Sequence, residues 1–252
     1  MKIGVVGLGV VGGTIFHAMK FFHEEVVGFD KFKTSDSFED ICDTDLVFVA
    51  VPSNGHNGRL NCSSIHETLE LLEKASYSGI VCIKSTIRLD FLDDAKKFNL
   101  RIAYVPEFLH EKTRLADFLS PDHVVISAKK EDVDTVRQAF YWVSDDKFYF
   151  VDDRTAEIAK LALNAFAATK ISFANEIKRI CDEVGADSEK IMEILRSDKR
   201  CAPEYTKPTG NPYGGKCLPK DTRELMGCSS KSILLRAVEE VNEQIKKEKK
   251  LN

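Results

Sequence analysis

Lys2-Ile3-Gly4-Val5-Val6-Gly7-Leu8-Gly9-Val10-Val11-Gly12 is an apolar run that breaks into glycines spaced G-x-G-x-x-G, with a helical stretch following to about Phe22. Strand, glycine turn and helix in direct succession form the local frame that a pyrophosphate needs. Gly7 permits the tight turn, Gly9 lets backbone approach phosphate, and Gly12 lets helix and strand pack closely, with the phosphates at the positive helix end. A second strand ends on Asp30, 18 residues (30 − 12) beyond Gly12. A carboxylate there accepts from both ribose hydroxyls and repels a 2′-phosphate, so the spacing predicts NAD rather than NADP. Lys31 and Lys33 pull the other way, because either can meet a phosphate. A glycine turn also occurs without any ligand, and it is the conjunction of strand, helix and acid that selects the dinucleotide.

Outward from this motif, β-branched runs recur at residues 2–6, 25–29, 45–51, 80–84, 101–105, 123–127 and 147–151, with helical stretches between several of them. That alternation predicts an α/β fold, a Rossmann-type doubly wound parallel sheet covered on both faces. After Asp152 the period changes to helical: a long Ala/Leu/Ile-rich helix over 155–183 closed by Gly185, a second from Asp187 to about Arg196, a Pro/Gly-rich loop over 197–219, and a last helix over 230–249. The expected domains are therefore 1–152, binding the dinucleotide, and 153–252, all-helical with a long central helix.

The chain has 252 residues, 36 Lys+Arg against 40 Asp+Glu, and 43% hydrophobic residues. This mild acidity argues against binding nucleic acid by phosphate neutralisation, and no run of about 18 apolar residues exists to span a bilayer. The opening MKIGVVGLG has neither a basic segment before an apolar one nor a cleavage site, so a cytoplasmic protein is expected. Seven cysteines, an odd number, form no CxxC pair and no zinc-type cluster, so neither a disulfide framework nor a metal is expected.

Three further segments, Lys84-Ser85-Thr86, Val105-Pro106-Glu107-Phe108-Leu109-His110-Glu111 and Gly214-Gly215-Lys216-Cys217-Leu218-Pro219-Lys220-Asp221-Thr222, resemble the UDP-glucose dehydrogenase family of nucleotide-sugar dehydrogenases. The similarity continues through residues 116–122, the helix 160–176 and the spacing of Arg200, Tyr205 and Pro208, nearly the whole chain. It implies a reaction: the C6 alcohol of a nucleotide-linked hexose is oxidised twice, through the aldehyde level, to a uronic acid, with two NAD consumed. UDP-glucose is the first substrate implied.

The residue chemistry suits that reaction. Oxidising an alcohol to an acid requires a means of holding the aldehyde and making it a hydride donor again, which a cysteine achieves through a thiohemiacetal and then a thioester. Cys217 is the candidate nucleophile, with Lys216 and Lys220 close enough in sequence to favour a thiolate where they face the sulfur. The other six cysteines read as packed apolar side chains. Lys160 and Asn164, four apart on the long helix, share a face and suit an oxyanion.

The resemblance further assigns Asp221 and Thr86 to positioning a water, and Glu107 and Glu111 to acid/base and cofactor-side carboxylates. It places Val10, Val11, Val51, Pro52, Ser85 and Thr86 beside the cofactor with the glycines and Asp30. It sets Phe108, Leu109, Arg200, Tyr205, Tyr213, Gly214, Gly215 and Lys220 beside the sugar nucleotide with Glu107, Lys160 and Asn164. Asp221, Lys160 and a water held by Glu107 all stand as first-step bases.

The chain departs from the family pattern in three places. Gly210-Asn211-Pro212-Tyr213-Gly214-Gly215 carries a one-residue insertion, which leaves the hexose open. Residues 30–45 are too short for the extra helix after the second strand, so a more open adenosine side and weaker NAD binding are expected. The family's second nucleotide-binding domain, which holds the uridine part, would follow the last helix, so a short form is expected: a homodimer through the long helix, or a chain completed by a further subunit. The rival readings are a two-electron β-hydroxyacid-type dehydrogenase, which has no use for Cys217, and a non-catalytic nucleotide-binding subunit.

Overall fold

A computed structural model describes residues 1–55, 60–110 and 112–251. The chain divides into two compact units, the first built from residues 1–53 and 60–160 and the second chiefly from residue 161 onward.

In the first unit, strands β1 (Ile3–Val6), β2 (Val26–Phe29), β3 (Leu46–Val49), β4 (Ile80–Ile83) and β5 (Arg101–Tyr104) form one parallel sheet in the order β2-β1-β3-β4-β5. Every residue of β1, β3 and β4 is buried, which is why these strands are continuous Val/Ile/Leu/Phe runs and do not alternate with polar residues. Helices α1 (Val10–Met19), α2 (Phe38–Cys42), α3 (Ser63–Lys74), α4 (Phe91–Ala95), α5 (Arg114–Leu119) and α6 (Lys130–Gln138) complete the layers. One apolar cluster joins Ile15 and Met19 of α1 to Phe48, Cys82, Phe118 and Phe140, and another joins Ile65, Leu69 and Leu72 of α3 to Val47, Val81 and Tyr104. These are the two faces of a doubly wound sheet, as the strand runs predict.

A short parallel pair, β6 (Val124–Ile126) and β7 (Phe148–Phe150), follows, and backbone bonds between Tyr104 and Ser127 link it to β5. The chain leaves β1 for β2 on one side and returns to β3 on the other, so the order reverses between β1 and β3. That reversal is where open α/β sheets take their ligands. The segment after β2 holds only the five-residue α2, started by a reciprocal bond pair between Ser37 and Asp40. β2 is an edge strand of the sheet.

Helix α7 (Asp153–Val184) runs 32 residues out of the first unit. Asp152 starts it, its carboxylate accepting from the Thr155 amide at 3.0 Å and the Thr155 hydroxyl at 2.6 Å; the hydroxyl bond is the main reason the acid lies below the usual carboxylate range. Gly185 ends it at φ +72°, where the Ala186 amide reaches the Cys181 carbonyl.

In the second unit α8 (Ser188–Ser197) starts from Asp187, whose carboxylate accepts from the Lys190 amide, and α9 (Leu218–Gly227) and α10 (Ile233–Leu251) follow the long loop. Ala168, Tyr213 and Val238 form its described buried cluster. No described helix is long and apolar enough to cross a membrane.

Candidate active site

The glycine loop closes over the end of β1 by contacts that fix two of its three glycines. Gly7 lies at φ +88°, and a Cβ there would sit 2.8 Å from the Ala50 carbonyl oxygen. A Cβ on Gly12 would come within 1.8 Å of the Gly7 carbonyl oxygen, so α1 can approach β1 only with glycine at this position. Gly9 differs, since a Cβ there would meet nothing within 4 Å. The protein does not need that glycine for its own packing, and the space beside it is open at the N-terminus of α1, an end whose amides favour an anion.

Asp30 at the end of β2 accepts from the Leu8 amide at 2.7 Å with Oδ2 and from the Phe32 amide at 2.9 Å with Oδ1. It is thereby tied to the middle of the glycine loop and retains lone pairs for ribose hydroxyls. Lys33 donates to the Leu8 carbonyl, and that engages one of the two lysines near the cofactor acid. Val10 is exposed at the start of α1, and Val11 is half-buried beside it. Val51 and Pro52 follow β3, where the Ser85 hydroxyl donates to the Val51 carbonyl at 2.7 Å. Ser85 thus clamps the ends of β3 and β4 together, and Thr86, half-buried, comes next.

At the carboxyl ends of β4 and β5, Lys84 Nζ lies 3.1 Å from Glu107 Oε2. Glu107 Oε1 accepts from the Phe108 amide at 2.9 Å. The Phe108 ring lies 5.3 Å from Lys160 Nζ and packs at 4.5 Å against His123. Burial, aided by the Lys160 charge and opposed by Asp122, lowers the His123 imidazole below its ordinary value. Leu109 packs on the apolar cluster and Glu111 lies outside the described residues. The sequence does not disclose the partnership of Lys84 with Glu107; its one signal there is a lysine directly after a wholly buried strand.

In the second unit Cys217 is exposed and caps the N-terminus of α9. One turn on, Asp221 is wholly buried, its amide bonded to the Cys217 carbonyl at 3.1 Å. Its carboxylate accepts from Asn164 Nδ2 and from Lys220 Nζ, both at 2.5 Å. Asn164, Lys220 and Asp221 therefore form one charge-assisted cluster one helical turn from the thiol. Gly214 and Gly215 are exposed, and a Cβ added at either would meet nothing within 4 Å; Gly215 nonetheless requires glycine for its φ of +75°.

Two of the residues expected beside the sugar nucleotide, Tyr213 and Arg200, make hydrogen bonds within the second unit. Tyr213 is 2% exposed, its hydroxyl on Glu239 at 2.5 Å and its amide on Asn242 Oδ1 at 2.7 Å. Burial, and then the Glu239 carboxylate, push its phenol far above the ordinary value. Arg200 forms a two-point pair with Asp198 at 2.9 and 2.6 Å on the surface. Tyr205 is part-exposed at φ +62°.

The chain matches the NAD binding domain of the UDP-glucose/GDP-mannose dehydrogenase family over residues 31–143 and the central domain of the same family over residues 154–244. It belongs to that family. NAD is the cofactor of its first unit, consistent with the glycine loop and Asp30. Among curated relatives, UDP-glucose 6-dehydrogenase of Pseudomonas aeruginosa is 35% identical over 230 residues, 83% of this chain and 51% of the relative. The chain spans about half the length of the curated relatives it matches.

The solved structure of a UDP-glucose dehydrogenase from Pyrobaculum islandicum superposes with a TM-score of 0.84 at 25% identity, covering 96% of this chain and 68% of that one. A 3-hydroxyisobutyrate dehydrogenase of Mycobacterium tuberculosis shares the fold, with a TM-score of 0.73 at 14% identity over 96% of this chain and 92% of that one.

Proposed function

We propose that the chain catalyses NAD-dependent oxidation of the C6 alcohol of a nucleotide sugar to the acid, with UDP-glucose the first substrate to try. The observation that carries this reading is the exposed Cys217 at the start of α9, with the buried Asp221 and its partners Asn164 and Lys220 one turn away. A two-electron dehydrogenase has no task for that thiol. Bound NAD would supply the hydride acceptor for both oxidations at C6. Of this chain's own groups, a base takes the hydroxyl proton in the first oxidation, and Cys217 adds through sulfur to the aldehyde carbon to form a thiohemiacetal. A base takes that hydroxyl's proton as the thioester forms, and water then releases the acid and returns the thiol. Lys160 and Asn164 supply a cation and an amide donor to the oxyanion. Asp221 and Thr86 orient the water, with Glu107 as an acid/base group. Gly9, the α1 amides, Asp30 and the β3 and β4 ends hold the cofactor.

The second reading, a two-electron β-hydroxyacid-type oxidation, draws on the shared fold of the 3-hydroxyisobutyrate dehydrogenase. NADH counted per UDP-glucose separates them: two supports the four-electron route, one the rival, and none a nucleotide-binding subunit. In the four-electron case Cys217→Ser loses about a thousandfold or more in acid formation, because removing a nucleophile leaves only binding and oxyanion stabilisation. A Cys217→Ser variant that still yields two NADH per sugar would refute the thioester.

The proposal includes a homodimer built on α7. Leu163, Phe166, Phe173, Ile180 and Val184 are 43 to 71% exposed along that helix. Phe166, Phe173 and Ile180 recur every seven residues, the period of a helix seam.

A further inference from the structure

A charged pair lies within the apolar packing of the first unit. Lys84 is 5% exposed and directs its ammonium to Glu107 Oε2 at 3.1 Å and to the Pro106 carbonyl at 3.5 Å. The rings of Phe118 and Phe140 flank it, with centroids at 5.9 and 5.7 Å, and both rings belong to the apolar cluster on that side of the sheet. Packing does not account for the pair. Methionine fills the space of a lysine stem without desolvating a charge, and a buried ion pair is a weak source of stability compared with apolar residues of the same volume.

Its location suggests a different account. Lys84 directly follows β4 and Glu107 lies just beyond β5, so both charges sit at the carboxyl edge of adjacent strands, where such sheets meet ligands. The Phe108 amide holds Oε1 at 2.9 Å, while among the described residues Oε2 has no hydrogen-bond partner and faces the Lys84 ammonium at 3.1 Å. Two contacts therefore orient the carboxylate, the Phe108 amide on Oε1 and the Lys84 ammonium beside Oε2. Through Phe108, whose ring lies 5.3 Å from Lys160 Nζ, the pair also adjoins the proposed oxyanion cation.

We propose that Lys84 is a positioning residue: it fixes the Glu107 carboxylate in the orientation from which it accepts a hydrogen bond from water or from a sugar hydroxyl. This inference rests on the dehydrogenase reading above. Glu107 meets the reacting molecules, and Lys84 acts only through Glu107.

The test compares wild type, Lys84→Met, Glu107→Gln and the double variant by kcat, KM, NAD affinity from calorimetry, and Tm. Lys84→Met is expected to lower kcat about 100-fold, the scale of losing a positioned group, with NAD affinity within twofold of wild type. The double variant, which leaves no charge buried alone, is expected to recover the Tm lost in Lys84→Met, while its kcat stays at the level of Glu107→Gln.

A merely structural lysine gives a different pattern: kcat recovers together with Tm in the double variant, or Lys84→Met turns over like wild type well below its Tm. Either result overturns the proposal, as do kcat losses that multiply in the double variant. If Lys84→Met does not fold, the uncharged double variant decides alone: wild-type turnover there overturns the inference, and Glu107→Gln turnover supports it. A wild-type chain that oxidises no nucleotide sugar overturns both readings, whereas an active chain indifferent to Lys84→Met overturns this one only.

Discussion

The two units use apolar residues in opposite ways. The first closes on itself: β1, β3 and β4 are buried throughout, and side chains from α1 and α3 cover the two faces of the sheet. The second does not. Along α7, Leu161, Ala165, Ala168, Ser172 and Asn175 turn inward at spacings of four and three residues, a ridge of mostly small side chains. The larger Leu163, Phe166, Phe173 and Ile180 face outward.

Polar contacts bind much of the second unit instead. Asn242 holds both the amide and the carbonyl of Tyr213, Asn175 holds Gly210 and Asn211, and Arg223 joins Glu239 to Glu243. A parallel sheet with covering helices completes its own core, whereas a long helix with apolar side chains on two faces has one left over for something else. The contrast extends to chemistry. In the proposed reaction the first unit contributes glycines, which act by what they leave out, and the second a thiol, an amide and a carboxylate.

The strongest way to break this contrast is to charge the outward face of α7. Phe166→Glu with Phe173→Glu removes four phenyl groups from a symmetric dimer seam. At about 1.5 kcal/mol or more for each buried aromatic, the dissociation constant should rise more than a thousandfold. Sedimentation would show dimer for wild type and monomer for the variant, with NAD binding by the first unit unchanged. A wild-type chain that sediments as a monomer at tens of micromolar would mean that the exposed stripe is not a self-interface.

Next in size is a pair of substitutions within the glycine loop. Gly12→Ala places a methyl 1.8 Å from the Gly7 carbonyl oxygen, so α1 must move off β1; a loss of about 3 kcal/mol is expected in urea unfolding. Gly9→Ala meets no protein atom within 4 Å and should cost under about 1 kcal/mol, from the poorer cap alone. Its effect appears with ligand, as at least a tenfold weaker NAD affinity by calorimetry. Equal NAD affinity for Gly9→Ala and wild type would show that phosphate does not approach there.

Much of the first unit was legible because parallel strands write their burial into unbroken Val/Ile/Leu runs, and the glycine spacing marks the turn that follows them. The strands of both sheets lie within the runs read from sequence, and Gly185 marks the end of α7 as expected, while Asp152 caps its start at Asp153, two residues before the expected Thr155. Helix α2 was not expected; Ser37 and Asp40 were enough to start it within a short excursion.

Site residues were less legible, because sequence records a residue's type and neighbours but not the partner it finds far along the chain. Lys84 and Glu107 are 23 positions apart (107 − 84), and neither announces the other. Tyr213 illustrates the converse. The resemblance implies a place for it beside the sugar nucleotide; its bonds to Glu239 and Asn242 depend on tertiary positions that the sequence does not record.

The smallest expected effect sharpens the same contrast by testing whether polar contacts hold the second unit together. Tyr213→Phe keeps the ring among Ala168 and Val238 and removes only the hydroxyl donated to Glu239 at 2.5 Å. Glu239 is not left alone, because Arg223 Nε still donates to its other oxygen at 2.6 Å. The loss should therefore be that of one hydrogen bond to a charged acceptor, about 1 to 2 kcal/mol, without the larger penalty of an unpaired buried carboxylate. Denaturant unfolding of the two proteins measures it, and NAD affinity should not change, since the hydroxyl and its partner both belong to the second unit. If the variant is as stable as wild type, the Tyr213 hydroxyl bond to Glu239 does not hold the second unit together. A loss well beyond 2 kcal/mol would instead mean that Tyr213, Glu239 and Arg223 stand or fall together as one network.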